Sequence, residues 1–265
     1  MKKYWVVFIT SWQTNLEYRL NLILQLLGKL VFYFALIILW LAVYKNQEFI
    51  GDYSKNQMIT YIIGSGIISG YIFYTSIGDN IDAYIKRGLL SPWLTKTINV
   101  PNMWFVDDLA RRIFNFIVAF IAFLIVLIGF QSYLFIQTDL FMLCAMALTV
   151  ILAGIINYFI FYLVGIFAFW MDETWGLRFV MRMFLSLAGG SLIPLSLLPG
   201  FVGKILLFLP TKYMTYIPMQ IYLNKMNMAE IIASIAVEFI WIAVLWFVAK
   251  CIWNNGLKHY SAIGG

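Results

Sequence analysis

The chain has 265 residues, of which 63% are hydrophobic and 11% charged, and its mean hydropathy is +0.88. A soluble domain is about half apolar and about a quarter charged, so this much apolar surface requires lipid as part of the solvent. The net charge of +6 comes from cations in short loops between apolar runs; with no soluble basic domain or arm, it fits membrane orientation rather than nucleic-acid binding.

Residues 1–19 come first as a separate element. Tyr4, Trp5, Phe8 and Trp12 recur at helical spacing between Lys2, Lys3 and Arg19, which predicts a helix lying in the membrane interface. The alternative is a plain extension of the first span. The short apolar stretch ending at Thr10 does not have a signal-peptide layout. A transmembrane helix needs about 20 mostly apolar residues. Six segments meet that test, near Leu20–Tyr44, Gln57–Ile77, Ile113–Phe135, Leu140–Met171, Leu177–Leu198 and Met228–Trp253. The fold class is therefore all-α, a polytopic membrane protein read as one domain over 1–265, with no internal repeat of the kind that builds two-halved transporters.

With the N-terminus inside, the larger share of the cations (Lys2, Lys3, Arg19, Lys86, Arg87, Lys96, Arg111, Arg112, Arg178, Arg182, Lys250 and Lys258) falls on the cytoplasmic side. Both termini are then expected in the cytoplasm of a cell-membrane protein. Within the second span, Gly66 and Gly70 form a small-xxx-small pattern that permits close helix contact, inside the protomer or across a dimer interface.

The loop Gly78–Arg112 is long and mixed in charge. Asp79 or Asn80 is placed to cap a short helix that Gly88 ends, and Pro92 and Pro101 interrupt the chain beyond it. Asp107 and Asp108 precede Arg111 and Arg112 at i, i+3 and i, i+4 spacings, so they can pair along one helix face. Two readings stay open for this loop: a solvated connection with orienting charges, or a lever that touches a soluble partner. The second such loop, Met171–Arg178, is brief, with Asp172 and Glu173 ahead of the next helix start.

The outer segment 195–227 is apolar yet interrupted by Pro199, Pro210 and Pro218, with Pro194 just before it. A helix that stops short, re-enters and leaves again fits this pattern if its broken backbone is buried in protein; an interfacial loop with aromatic anchors is the alternative. Ionisable groups in the spans are few. Lys29 is placed to snorkel, Glu230 lies near a segment end, and only Glu238 is deep. An intramembrane acid is a functional candidate by default, though helix packing is an equal reading. Cys144 and Cys251 sit inside apolar runs and read as small buried hydrophobes.

Catalytic signatures are missing from the sequence. It contains no G-x-x-x-x-G-K-[ST], so ATP binding is not expected of this chain, and its single histidine, His259, has no cluster around it.

The layout resembles the type-2 ABC export permeases across essentially the whole chain, and more closely the branch associated with viologen and multidrug efflux. The residues that carry the resemblance are Glu17-Tyr18-Arg19, Ile85-Lys86-Arg87-Gly88-Leu89-Leu90 with Trp93-Leu94, and the Pro194, Pro199, Leu209-Pro210 and Pro218 run. The branch usually carries a proline after the basic residue that follows the leucines, whereas here Thr97 follows Lys96. The resemblance implies an N-terminal elbow helix (1–19), a coupling loop (78–100) and outer re-entrant helices (195–227). It further implies a pathway enclosed by two permease chains, identical or sister, and separate ABC ATPase subunits that bind ATP and Mg. Asp79, Asp82, Tyr84, Lys86 and Arg87, with Asp172, Glu173 and Trp175, are then the expected ATPase contacts. Competing readings are a secondary transporter or channel, an intramembrane lipid enzyme, and a structural membrane protein without a pathway. The substrate is not legible.

Overall fold

The computed structural model describes residues 2–17 and 19–260. Tyr18 of the Glu17-Tyr18-Arg19 motif lies outside the described residues, as does the Arg19 side chain. The described chain is almost wholly helical: α1 (Lys2–Glu17), α2 (Arg19–Val43), α3 (Lys55–Ile72), α4 (Ile77–Lys86), α5 (Ser91–Leu94), α6 (Val100–Gly129), α7 (Leu140–Ile166), α8 (Trp175–Ala188), α9 (Gly200–Phe208), α10 (Tyr216–Tyr222) and α11 (Met228–His259). Among the described residues the only sheet is a two-stranded hairpin, β1 (Phe49–Ile50) against β2 (Tyr53–Ser54).

Local chemistry sets the helix starts. Ser54 accepts from the Gln57 N–H while the Gln57 side chain returns to the Ser54 N–H, a capping box opening α3. Asn227 and Glu230 do the same for α11. Asn99 caps α6, and Pro101 falls in its first turn, where a missing N–H removes no helical bond. The residues read as the end of a broken loop, Val100–Arg112, are therefore the first turns of a 30-residue helix. Asp107 and Arg111, and Asp108 and Arg112, pair at i, i+4 along it.

Five helical stretches are long and apolar enough to cross a membrane, built on α2, α3, α6, α7 and α11, so the protein is a multi-pass membrane protein. The fifth apolar segment differs from a full span. Its helix, α8, has 14 residues and stops at Gly189 and Gly190, the latter at φ +79°. At 1.5 Å per residue that is about 21 Å, short of a hydrocarbon core of about 30 Å. The chain then turns through 195–197, forms α9, turns again at Pro210–Tyr213 and forms α10. The Tyr216 N–H comes back to the Gly189 carbonyl at 3.0 Å, closing the excursion on itself.

Backbone groups freed by this break need partners in an apolar setting, and α3 supplies them. Tyr61 Oη donates to the Gly190 carbonyl at 2.5 Å, and Ser65 Oγ donates to the Ser191 carbonyl at 2.9 Å. The hairpin caps the same region. The Tyr44 hydroxyl donates to the Tyr53 carbonyl at 2.9 Å, and the Tyr53 hydroxyl accepts from Gln220 Nε2 on α10. Burial pushes that Tyr53 hydroxyl up to about 12, so it stays neutral at ordinary pH. The Gly51-Asp52 pair at the tip, with Gly51 at φ +56°, is a hairpin signal for which the sequence reading has no element.

Gly66 and Gly70 lie on the α3 face against α6. A Cβ at Gly66 would strike the Phe123 ring, and one at Gly70 would strike the Ala119 methyl. Both are buried, in close contact with α6 inside the protomer.

Candidate functional site

The charged end of the bundle is organised around α4. The helix is amphipathic, with Ile77, Ile81 and Ile85 buried on one side. It starts at Ile77 without a side-chain cap, placing Asp79 in its first turn rather than before it. Gly88, at φ +67°, ends it, and the Leu90 N–H closes onto the Tyr84 carbonyl at 3.0 Å.

Two glycines let α4 lie directly on α7. A Cβ on Gly165 would sit 3.0 Å from Gly78 Cα and 3.2 Å from the Gly78 carbonyl oxygen. Side chains from α8, α6 and α1 then clamp the helix. Arg178 of α8 places Nε 2.9 Å from Asp79 Oδ1 and Nη1 3.7 Å from Asp82 Oδ1. The Asp79 contact is an ion pair by distance, but its angle is outside hydrogen-bond geometry, since Arg178 Nε has no hydrogen-bond acceptor. The firmer link runs through Thr174, whose hydroxyl accepts from Arg178 Nη1 and donates to Asp82 Oδ1 at 2.7 Å. Asp82 also pairs with Lys86 at 2.6 Å.

Asp107 joins three helices. Its Oδ1 accepts from Ser11 Oγ of α1 at 2.5 Å, its Oδ2 accepts from Asn80 Nδ2 of α4 at 3.2 Å, and Arg111 Nε lies 3.1 Å from it on α6. The Trp12 ring meets the Phe114 ring edge-on at 5.2 Å, seating α1 against α6. One residue along, Asp108 and Arg112 are both 2% exposed. Arg112 Nε reaches Asp108 Oδ2, Nη1 reaches the Ile72 carbonyl at 2.7 Å, and Nη2 reaches Asn157 Oδ1 at 2.9 Å. The Thr75 hydroxyl donates to Asp108 Oδ1 at 2.6 Å. This network ties the α3–α4 connection to α6 and α7.

The residues expected to face a partner divide into two sets. Arg87, Asp172, Glu173 and Trp175 are exposed, and the Asp79 side chain is 50% exposed. Asp82 and Tyr84 instead turn inward, because each has a partner there. Asp82 is held by Thr174, Lys86 and Arg178, and the Tyr84 ring packs edge-on to Trp104 at 5.6 Å. Lys86 is half-buried beside Asp82. Beyond the pairing of Asp107 and Asp108 with Arg111 and Arg112 along one helix face, the sequence reading assigns no role here to Thr75, Asp107, Asp108, Arg112, Asn157, Thr174 or Arg178. The i, i+4 charge spacing and a lone Asn157 in an apolar run were the available signals for four of them.

Glu238 sits elsewhere, on α11. It is 0% exposed, and neither carboxyl oxygen has a hydrogen-bond partner. The nearby turn carries two further unpartnered buried hydroxyls, Thr211 and Thr215. An ionised carboxylate there would have no compensating charge. The neutral isostere Glu238→Gln is accordingly expected to accumulate and melt at or above the wild-type level, measured by size-exclusion yield and thermal melting in detergent; a large loss of folded protein would show that the negative charge itself is needed.

Residues 30–264 match the family described as ABC-2 family transporter protein. The chain belongs to that family. No curated protein matches it. As an ABC-2 family protein it is the membrane component of a transporter, which supports an ABC permease role. Among the described residues no group of three or more His, Cys, Asp or Glu side chains is placed to hold a metal ion.

Proposed function

We propose that this chain is the permease subunit of an ATP-driven exporter, working as a homodimer or paired with a sister chain. Separate ABC ATPase subunits bind ATP and Mg beneath it. The observation that carries this reading is the α4 clamp. One short helix is fixed to α7 by a glycine-to-glycine contact, to α8 by Arg178 and Thr174, and to α6 and α1 through Asp107, while charged groups beside it remain exposed. A helix held on several sides moves its neighbours when it is pushed, as a coupling helix requires.

In this reading α1 is the interfacial elbow and α4 the coupling helix. The cations concentrated around them face the cytoplasm of the cell membrane, and α9 and α10 form the outer re-entrant element. Closure of the ATPases drives α4 and α1, and the pathway between two permease chains turns from inward-facing to outward-facing. Arg87, Asp172, Glu173 and Trp175 make the ATPase contact, and Asp79 joins them from the helix's first turn. Asp82 and Tyr84 brace α4 from within.

The test begins with a mild-detergent capture of the tagged chain from its native membrane and identification of what accompanies it. A stoichiometric P-loop protein is expected. Combined charge reversal, Arg87→Glu with Glu173→Lys, is expected to lower its recovery about tenfold, as lost interface charge pairs do, without changing the permease's melting temperature. Asp82→Lys is expected to lower both. Capture without any ATPase, from a preparation shown to be intact, would move the assignment to a secondary transporter or a membrane protein without a pathway.

A further inference from the structure

An elongated cleft of about 640 Å³ lies over α3 between α6 and α7. Its shape follows from how these helices meet. At the α4 end α6 and α7 are drawn together: Phe105 meets Tyr158 edge-on at 5.0 Å, the Tyr158 hydroxyl donates to the Pro101 carbonyl at 3.2 Å, and Arg112 bridges to Asn157. Toward the opposite end a wedge opens between them with α3 as its floor. The connection after α6 roofs it. The Phe135 N–H donates to Thr60 Oγ1 at 2.7 Å, and Gln137 Nε2 donates to the Tyr222 carbonyl at 3.1 Å.

The lining is hydrocarbon almost throughout, represented by Ile63, Ile67, Ile113, Phe116, Met146 and Val150, and includes no charged residue. Of its polar side chains, Thr60 is already engaged with the roof. On α6 the lining runs from Leu109 to Leu127, about 27 Å at 1.5 Å per residue, close to the roughly 30 Å of a bilayer's hydrocarbon. Phe120, Ala147, Ile151 and Ile136 stand exposed along it. They continue into the exposed apolar residues Ile117, Ile121 and Leu148, so the cleft opens toward lipid.

These features select the occupant. Water needs two to four polar partners to enter a cavity, and beside the engaged Thr60 the side chains of this lining offer only the hydroxyls of Tyr71 and Tyr222, on separate helices. A ligand with a charged or strongly polar group would bury it unpaired. An open apolar wedge in contact with hydrocarbon gains dispersion contacts when a chain fills it, and a volume of several hundred cubic ångströms is in the range of binding sites. We infer that the cleft between α6 and α7 is a binding site for a hydrocarbon chain, occupied by an acyl tail of a membrane lipid that wedges the two helices apart. The site needs only a membrane around the chain, and it would hold its tail equally if no ATPase paired with the protein.

The test uses the full chain in phosphatidylcholine vesicles containing a trace of a phospholipid with a photoactivatable diazirine at the acyl terminus. After illumination, labelled residues are mapped by peptide mass spectrometry. Label on the cleft residues Ile67, Met146 and Ala147 is expected to exceed that on Ile125 and Ile128, which face lipid outside the cleft, several-fold. Ala147→Trp, which fills the wedge, should abolish the excess while leaving label at Ile125 and Ile128 unchanged. Uniform labelling of the apolar surface would overturn the proposal from the wild-type protein alone, whether or not the variant folds. Labelling of the cleft by a water-soluble diazirine would overturn it too, by showing an aqueous cavity. Excess label that disappears on adding ATP and the captured ATPase would identify the occupant as cargo in transit and overturn the resident-lipid assignment.

Discussion

Arg112→Met should remove most of the folded protein, and Asp108→Asn should come close to doing so. The guanidinium is 2% exposed and makes bonds to Asp108, to the Ile72 carbonyl and to Asn157. Removing it leaves a buried carboxylate with one hydroxyl donor, Thr75, and frees a carbonyl at the end of α3. Breaking a buried ion pair from one side costs about 3–5 kcal/mol, a large part of the 5–15 kcal/mol by which folded proteins are typically stable. The double variant Asp108→Leu, Arg112→Met takes away both charges and is expected to melt between either single variant and the wild type. Thermal melting of purified protein and the monodisperse fraction after size exclusion check both claims. Single variants that melt with the wild type would mean that the pair is not buried.

Gly165→Leu is the second large effect, and it bears on the proposed mechanism. The first carbon alone would sit 3.0 Å from Gly78 Cα and 3.0 Å from Ile81 Cβ. The obstacle at Gly78 is backbone, which cannot rotate away, so α4 has to lift from α7. Overpacking of this kind costs about 1–3 kcal/mol. Lifting α4 also separates Asp79 and Asp82 from Arg178 and Asn80 from Asp107. The expected outcome is an inserted, moderately destabilised permease that recovers little ATPase on capture and shows little transport. Gly28→Leu on α2 is the matched control, since a Cβ there meets nothing within 4 Å and the position lies outside the proposed ATPase contact, and it should behave as wild type in both assays. If Gly165→Leu captured ATPase and transported normally, the fixed seating of α4 on α7 would not be needed for coupling.

These two sites lie in places that the sequence makes only partly visible. Hydropathy alone dictated the all-α membrane class, because runs of about 20 apolar residues have few other stable solutions. Charge spacing dictated that Asp107 and Asp108 would reach Arg111 and Arg112, because i, i+4 neighbours meet on any helix. Gly88 as the end of α4 was legible for a similar reason, as a residue free to adopt positive φ.

Pairing that is distant in sequence was not legible. The loop reading of Val100–Arg112 gave way to a helical start, because Arg112, whose charge Asp108 balances, takes its remaining hydrogen-bond partners, the Ile72 carbonyl and Asn157, from α3 and α7. Asp82 and Tyr84 look like exposed loop residues until α8 delivers Thr174 and Arg178 and α6 delivers Trp104. The short α8 was hidden for the opposite reason: Leu177–Leu198 is apolar enough to span, and the groups that satisfy the backbone where the helix stops, the Tyr61 and Ser65 hydroxyls of α3 and the Tyr216 N–H, come from elsewhere in the chain. The run of apolar residues along the chain specifies the solvent it lives in and the helices that solvent demands. Which charges are buried, which face outward and where a cleft opens between α6 and α7 were decided by tertiary structure, because each depends on groups that only the packed bundle brings within a few ångströms of one another.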